Sequence, residues 1–367
     1  MPYSLDDIRA AKRLMSDRYL KQTVMAGLTG LSRTNLVSAA INRAPSNVHA
    51  VGVGYKITGE NLTETLCVRF YVAQKLPKSL LPPAYALPEQ VDDIATDVIE
   101  SPPALFSQSA AGKKSRASRS NRTDEVALTL SNCSPNRQKQ QRPMVAGISA
   151  AVRTITAGTL GAFCTSTRPG DDPKATLILS NNHVLADVNK APVGEDIYQP
   201  SPADGGMPAD AVADLTRYVR IDLGGTMENR VDAAIARLRP GATFDKQICS
   251  IGALQGNVVA TVNLKVRKHG RTTGLTHGQI SDVDYDALVG MDHANPNVVA
   301  KFIDQIRIEA LAPYVFFGKG GDSGSLVVTL DGAVKAVGLY FAGPPAGEYG
   351  IANHIGDVTR ELQVALL

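Results

Sequence analysis

The sequence predicts a mainly β protein in which two antiparallel β-barrels follow a small α+β domain and end in a C-terminal helix. Glycines and short β-branched runs dominate residues 144–367, as in β-barrels. Apolar residues recur at helical intervals near both ends of the chain. A stretch rich in Ser, Asn, Gln, Lys and Arg separates the two parts. We therefore divide the chain into an N-terminal domain over 1–105, a basic Ser-rich linker over 106–143 and a β-barrel domain over 144–367.

The N-terminal part begins with a predicted helix. Ser4 and Asp7 have the spacing of a capping box, and the following apolar residues share one helical face. That face is formed by Ile8, Ala11, Met15 and Tyr19. β-branched and aromatic runs then predict strands over Val48–Ile57, Thr65–Val72 and Ile94–Ile99.

Two signals mark the end of the chain. Leu330–Ala333 contains the Asp-Gly pair of a hairpin turn, and a strand is expected on either side of it. Residues from Asp357 to Leu367 predict the C-terminal helix. Its apolar face would comprise Val358, Leu362, Ala365 and Leu366.

Composition restricts the classes of function. At 367 residues with 44% hydrophobic residues, the chain is long enough for two buried cores. The net charge of +3 gives no global attraction to nucleic acid or membrane. No apolar run of membrane-spanning length occurs, and the first residues lack the pattern of a signal peptide. We therefore expect no membrane association.

The four cysteines are scattered, without the close spacing of a zinc site or a dense disulfide framework. They are Cys67, Cys133, Cys164 and Cys249. We expect them to be reduced and mostly buried as small core residues. A cytoplasmic location follows as a prediction.

The linker carries a basic cluster without an acid between its members. The cluster consists of Lys113, Lys114, Arg116, Arg119 and Arg122. We interpret it as a solvated tether, with contact to nucleic acid or an acidic partner as the alternative. The absence of interleaved aromatic residues disfavours nucleic acid.

The strongest chemical signal is a serine between glycines, in the run Gly321–Ser325 that precedes an apolar strand. Glycines allow a tight turn and a close approach of the backbone to a carbonyl group. Amide groups in such a turn can point at one developing oxyanion. A polar hairpin loop is the alternative interpretation.

A serine nucleophile needs a base and a group that orients the base. His183 follows the apolar strand 175–179, and Asp232 lies in an otherwise small and apolar segment. A buried carboxylate is costly without a hydrogen-bond donor, and an imidazole N–H would serve. The alternatives are a core histidine bonded to the backbone and an acid in a turn at a strand end.

The order His183, Asp232, Ser323 is that of chymotrypsin. Residues from about 145 to 367 resemble a trypsin-like (chymotrypsin-fold) serine protease. More narrowly, the chain resembles the bacterial relatives of the plant narrow-leaf proteases. The segments that carry this narrower resemblance are Gly158–Gly161, Leu179–Ala186, Gly270–Gly274, Val51–Lys56, Lys75–Pro77 and Thr96–Glu100.

The resemblance implies a chymotrypsin-like double barrel and roles for the catalytic residues. Ser323 would be the nucleophile, His183 the general base and then acid, and Asp232 the residue that fixes the imidazole tautomer. The N–H groups of Gly321 and Ser323 would form the oxyanion hole. A protein or peptide substrate is implied, and no metal or cofactor is expected.

The resemblance also places the substrate pocket. Its floor would be Phe317, with Gly343 and Gly350 near the walls. Because no aspartate occupies the floor, the pocket is expected to favour a small or apolar side chain. His269 and His277 could line the cleft, although surface hairpin positions are the simpler interpretation. His49 has no acid or cysteine close by in sequence, so we expect it at the surface or in a turn.

In animal digestive enzymes of this class, the acid before the serine pairs with a new amino terminus made by cleavage. Arg142-Pro143 would be a poor cleavage site, because proline alters the scissile bond and restricts the residue before it. We therefore expect no such activation step. An internal group should satisfy Asp322 instead.

Three classes of function stay open at this point. A serine endopeptidase fits the intact nucleophile, base and orienting acid. A catalytically silent scaffold that binds a protein partner is the second class. A nucleic-acid-associated regulator using the basic linker is the third. Self-association into a homo-oligomer also stays open.

Overall fold

A computed structural model describes residues 3–20, 47–59, 61–77, 79, 81, 86–106, 136–155, 157–223, 227–292, 295 and 298–367. The predicted basic cluster and Cys133 lie outside the described residues. Three α-helices are present in the described part: α1 Leu5–Tyr19, α2 Asn182–Leu185 and α3 Ile355–Leu362. Short 3-10 helices cover Pro202–Asp204 and Pro208–Asp210.

Strands make up most of the remaining regular structure. The N-terminal ones are β1 Val48–Thr58, β2 Asn61–Val72, β3 Gln90–Val91, β4 Ile94–Glu100 and β5 Ala104–Phe106. The next are β6 Met144–Ala146, β7 Ala151–Val152, β8 Ala162–Ser166, β9 Thr176–Ser180, β10 Asp196–Tyr198, β11 Ala211–Tyr218, β12 Ala234–Leu238, β13 Phe244–Ile248 and β14 Gly252–Ala253. The last are β15 Lys265–Gly270, β16 Gly274–Gly290, β17 Val299–Ala310, β18 Leu326–Thr329, β19 Ala336–Gly343, β20 Tyr349–His354 and β21 Val364–Leu366.

Helix α1 begins where the sequence predicts it. The Ser4 hydroxyl accepts a hydrogen bond from the Asp7 N–H, and the Asp7 carboxylate accepts one from the Ser4 N–H. Its apolar face packs on β1 and β2. Lys12 is buried beneath the helix, with its ammonium 2.6 Å from Asp286 and 3.1 Å from Asp304. Packing and a buried ion pair together fix the helix on the sheet.

The second barrel is a closed ring of six antiparallel strands. Its order is β15, β18, β19, β20, β17 and β16, and β16 pairs back onto β15. Burial alternates along the first half of β16, which is typical of a strand with one face toward a core. The predicted hairpin is confirmed, since β18 and β19 pair across the Leu330–Ala333 turn.

The ring also carries the N-terminal strands. β16 is seventeen residues long, and its second half pairs with β1. The sheet then continues through β2, β4 and β3. Hydrogen bonding is therefore continuous between the predicted N-terminal and protease parts. The division of the chain at residues 105 and 143 stays a prediction.

The first barrel is formed by a seven-stranded sheet and a three-stranded sheet around one apolar core. The larger sheet has the order β21, β8, β9, β12, β11, β10 and β7, and the smaller has β14, β13 and β6. The core includes Ile178, Leu179, Ile235 and residues of both sheets, and it continues into Leu339 of the second barrel. The two barrels thus share a packed boundary.

The C-terminal helix is shorter than predicted. Gln363 adopts the left-handed conformation, with φ of 51°, and ends α3. Val364–Leu366 then forms β21, which pairs with β8 of the first barrel. The assignment of Ala365 and Leu366 to a helical face is therefore wrong, because strand pairing in this sheet replaces the helix there.

Cysteine states differ in part from expectation. Cys67 and Cys164 are free and buried, and burial raises the pKa of each thiol to about 12. Cys249 is disulfide-bonded, so the expectation that every cysteine is reduced is wrong for this residue.

Among the described residues, no helix is long and apolar enough to cross a membrane.

Two histidines expected at the surface are buried. His49 lies in β1, and its Nε2 is 2.8 Å from the Ser101 carbonyl oxygen. Burial lowers its pKa to about 4. The Nδ1 of His269 lies 3.1 Å from the Gly147 carbonyl, and burial lowers its pKa to about 3. Both surface assignments are wrong, because each imidazole serves as a neutral hydrogen-bonding group within the core.

We expect the buried His49 to make the fold sensitive to acid. In the unfolded chain its pKa is about 6.5, so between about pH 6.5 and 4 the unfolded state binds the extra proton. Stability should therefore fall as the pH is lowered through this window, by on the order of 3 kcal/mol for this group. Urea unfolding of wild type and His49→Gln at pH 7 and pH 4.5 measures the effect. Equal pH dependence in the two proteins would contradict the argument.

Candidate active site

His183 and Asp232 form a buried pair in the first barrel. The Nδ1 of His183 lies 2.5 Å from Asp232 Oδ2, and the His183 main-chain N–H donates to Oδ1 at 3.1 Å. Both side chains are fully buried. The Asp232 carboxylate thus holds His183 both through its imidazole ring and through its main-chain N–H. This is the donor that the sequence analysis required for a buried acid.

Neighbouring asparagines hold the loop that carries His183. The Asn181 amide donates to the Asp232 carbonyl oxygen at 2.7 Å, and the Asn182 amide donates to the Val219 carbonyl oxygen at 2.7 Å. Asn353, on β20, accepts a hydrogen bond from the Asp232 N–H at 3.1 Å. These bonds connect α2, which follows β9, to the segment before β12 and to the second barrel. Both members of the pair are therefore positioned by strand ends.

The turn that carries Ser323 packs directly on the strand that leads to His183. A Cβ atom on Gly324 would lie 2.1 Å from the Ser180 hydroxyl, and one on Gly161 would lie 2.2 Å from the Gly324 carbonyl oxygen. Gly324 also has φ of 93°. Only glycine fits at this contact between the barrels. Two of the glycines noted in the sequence thus allow the serine turn to approach β9.

The Ser323 hydroxyl donates to the Phe341 carbonyl oxygen at 3.1 Å. His183 Nε2 is buried and has no hydrogen-bond partner among the described residues. Because Nδ1 faces Asp232, Nε2 is the ring nitrogen left to accept a proton. The structure therefore places the three predicted residues at the boundary of the barrels, without a hydrogen bond between the serine and the imidazole.

Asp322 is fully buried and satisfied internally. Its carboxylate accepts hydrogen bonds from the N–H groups of Thr272, Thr273 and Lys319 at 2.8–3.0 Å and from the Thr273 hydroxyl at 2.7 Å. Lys268 Nζ lies 3.3 Å away and is also fully buried. The sequence expectation of an internal partner is confirmed, and Lys268 supplies the positive charge.

The electrostatics of this pair follow from burial and attraction together. Burial alone would raise the pKa of the Asp322 carboxyl, but Lys268 and the donated hydrogen bonds lower it below its usual value. Burial lowers the pKa of the Lys268 ammonium, although Asp322 acts in the opposite direction. The Asp322 carboxylate is therefore ionised, and its hydrogen bonds fix the turn that carries Ser323.

The same turn orients two backbone amides. The Gly320 carbonyl oxygen accepts from the Thr272 hydroxyl at 2.7 Å, and the Asp322 carbonyl oxygen accepts from the Ser325 N–H at 3.0 Å. A trans peptide bond points its N–H opposite to its carbonyl. The N–H groups of Gly321 and Ser323 therefore face away from these partners. The oxyanion hole at these two N–H groups stays a prediction.

The predicted pocket residues surround an aromatic ring. Cβ atoms on Gly318 and Gly350 would lie 2.6 and 2.7 Å from ring carbons of Tyr340, and one on Gly343 would lie 3.2 Å from its hydroxyl. The ring of Phe317 is 6.0 Å from the Tyr340 ring. Phe317, Gly343 and Gly350 are thus brought together, with the fully buried Tyr340 side chain between them.

Sequence reasoning missed three residues at this site. Lys268 lies on β15 among other basic residues, and Tyr340 lies in the apolar strand β19, so neither is distinguished by its local sequence. Phe106 contacts the His183 ring edge to face, with the ring centroids 5.0 Å apart. It is the first residue of the predicted linker, and no local signal connects it to the site. Among the described residues, no group of three or more His, Cys, Asp or Glu side chains could hold a metal ion.

Comparisons with solved structures return bacterial serine proteases. Thermobifida fusca protease A matches with 15% identity and a TM-score of 0.42, over 61% of this chain and 97% of that one. The Nocardiopsis protease matches with 16% identity and a TM-score of 0.42, over 60% and 97%. The Cellulomonas bogoriensis chymotrypsin matches with 15% identity and a TM-score of 0.41, over 61% and 97%.

The predicted fold class is confirmed. The chain is mainly β, with a closed ring of strands and a C-terminal helix. No family model matches the sequence, and no curated protein matches it. The narrower resemblance to relatives of the plant narrow-leaf proteases stays a prediction.

We expect Lys268→Met to destabilise the protein by about 3–5 kcal/mol, because it leaves the Asp322 carboxylate buried without its cation. Lys335→Met is the matched control, since Lys335 is exposed in the turn before β19. This substitution should change the free energy of unfolding by no more than about 0.5 kcal/mol. Urea unfolding measures both. Equal small effects would mean that the buried ion pair does not hold the turn.

Proposed function

We propose that the protein is a serine endopeptidase that cleaves peptide bonds through an acyl-enzyme intermediate. The observation that carries the proposal is the buried His183–Asp232 pair beside the Ser323 turn. An imidazole held through Nδ1 by a carboxylate presents Nε2 as a base. A serine hydroxyl that reaches such a base would complete the arrangement required for nucleophilic catalysis.

The reaction begins with rotation of the Ser323 hydroxyl from the Phe341 carbonyl toward His183 Nε2. As the serine oxygen attacks the peptide carbonyl, Nε2 takes the hydroxyl proton and then gives it to the leaving amine. Water then attacks the acyl-enzyme while Nε2 takes its proton. The proton passes to the Ser323 oxygen as the acyl–serine bond breaks, which releases the peptide acid and restores the serine. Asp232 stays ionised throughout and stabilises the imidazolium that His183 becomes while it carries the proton.

The oxyanion of the tetrahedral intermediate would be bound by the N–H groups of Gly321 and Ser323. Removing one such donor costs about 3 kcal/mol of barrier in enzymes of this chemistry. The hydrogen bonds from Thr272 and Ser325 to the adjacent carbonyls support this role, because they orient both amides before substrate binds. Preorganisation of this kind removes the cost of ordering the donors during the reaction.

A second candidate is a catalytically silent scaffold that binds a protein partner through the same cleft. The observation that favours it is the Ser323 hydroxyl, which donates to a backbone carbonyl and not to His183. In a silent scaffold this hydrogen bond would be permanent. In an enzyme it would be present in only one rotamer of the resting Ser323 side chain.

A fluorophosphonate probe should label the wild-type protein slowly but completely, since it reacts with an activated serine. We expect no labelling of Ser323→Ala and a loss of at least about a thousandfold in rate for His183→Ala. Labelling is followed by mass spectrometry of the modified peptide.

Ser166→Ala is the matched control for this experiment. Ser166 is a serine at the end of β8 whose hydroxyl contacts Asp171, away from the proposed triad. Its labelling rate should equal that of wild type. A folded wild type that stays unlabelled, together with unlabelled variants of every kind, would favour the silent scaffold.

The proposed substrate pocket selects a small side chain before the cleaved bond. Tyr340 fills the space between Gly318, Gly343 and Gly350, so a large side chain has no room there. We expect Tyr340→Ala to shift cleavage from alanine or serine toward leucine or phenylalanine at this position, by on the order of tenfold.

Tyr340→Phe keeps the ring and should leave the preference unchanged. Peptide-library cleavage profiles of the three proteins measure the shift. Thermal melts accompany them, because truncation of a buried aromatic residue costs about 3–5 kcal/mol of stability. An unchanged profile in a folded Tyr340→Ala protein would exclude Tyr340 from the pocket.

A further inference from the structure

Strand β5 is inserted between two strands of the second barrel that do not pair with each other. It pairs in parallel with β16, where Ala104 faces Val289 and Leu105 faces Gly290. It pairs antiparallel with β19 through Leu105 and Phe106. Because strands bind extended chains through backbone hydrogen bonds, β16 and β19 present here the backbone groups that hold an extended chain. The chain's own β5 fills the groove between these two strands.

The direction and register of β5 lead to the candidate serine. Phe106 lies opposite Ala342, and Leu105 opposite Gly343. A peptide continuing in this register would place its next residue opposite Phe341. The Phe341 carbonyl is the acceptor of the Ser323 hydroxyl. A peptide following the path of β5 therefore reaches the proposed nucleophile one residue beyond the position of Phe106.

Phe106 also covers the candidate base. Its ring meets the His183 ring edge to face at 5.0 Å and is only 3% exposed. The His183 side chain is itself fully buried. Gly290 allows Leu105, the residue before Phe106, to approach closely, since a Cβ atom on Gly290 would lie 2.5 Å from Leu105 Cδ2. The groove is thus shaped around these side chains as well as around the backbone.

The chain that enters the groove is held by buried polar groups. The Ser101 carbonyl lies 2.8 Å from His49 Nε2, and the Ser101 hydroxyl accepts from Arg307 at 3.1 Å. The Tyr349 hydroxyl donates to the Pro102 carbonyl at 2.7 Å. Arg307 in turn lies over the Tyr349 ring at 3.7 Å. These contacts fix the point from which β5 extends.

We infer that β5 is an intramolecular substrate mimic that occupies the peptide-binding groove and restrains the activity of the site. The inference rests on the proposed endopeptidase function. A substrate is then an extended peptide that displaces Ala104–Phe106 and places an apolar, preferably aromatic, side chain against His183. Reaction at Ser323 requires that β5 first leave the groove.

The test compares fluorophosphonate labelling of wild type with that of Phe106→Ala. Loss of the buried ring should weaken β5 binding, and we expect labelling of Ser323 to become at least about tenfold faster. A synthetic peptide of residues 101–106, Ser-Pro-Pro-Ala-Leu-Phe, should slow the labelling of Phe106→Ala again. The same peptide ending in Asp should not.

Phe70→Ala is the matched control, because Phe70 is a buried phenylalanine of β2 that packs on Tyr19 and not on His183. It should lower thermal stability and leave the labelling rate unchanged. Equal or slower labelling of Phe106→Ala than of a labelled wild type would overturn the inference while the proposed function stands. No labelling in any folded variant would overturn the proposed function, and this inference with it.

Discussion

The Asp322 carboxylate is the constraint on which the serine turn depends. A buried charge is costly unless it is paired and hydrogen-bonded, and here Lys268, Thr272, Thr273 and Lys319 together supply the charge and the donors. These residues come from β15, from the turn before β16 and from the loop before the serine. Satisfying one carboxylate thus joins the β15–β16 hairpin to the loop that carries the serine. The turn keeps its shape without a free amino terminus at this position.

The first barrel packs on the serine turn, and the N-terminal strands join the barrel that carries this turn. β9 and β12 place His183 and Asp232, and glycine contacts at Gly161 and Gly324 bring the serine turn against β9. On the other side, β16 belongs to the closed ring and also pairs with β1. One long strand therefore connects the N-terminal part to the barrel that carries the serine. The same strand provides one wall of the groove that β5 fills.

Local signals explain what the sequence could predict. The helix α1, the Asp-Gly hairpin and the residues His183, Asp232 and Ser323 each lie in a short segment whose pattern indicates its structure. Tyr340 and Phe106 could not be placed in this way, because their roles depend on pairings between distant strands. Phe106 meets Ala342 across more than two hundred residues of chain. Proline-rich sequence before β5 indicates a domain end and does not reveal the strand that follows.

The anchoring of β5 determines how the groove can open. Moving the whole N-terminal part would separate β1 from β16 and break the buried Lys12–Asp286 and Arg69–Asp282 ion pairs. Peeling Ala104–Phe106 away exposes one phenylalanine and a few backbone groups, and burial of such a ring contributes about 2–3 kcal/mol. Release of β5 alone is therefore the lower-energy route. Under the proposed mechanism, the N-terminal strands stay in the sheet while a substrate peptide takes the place of three residues.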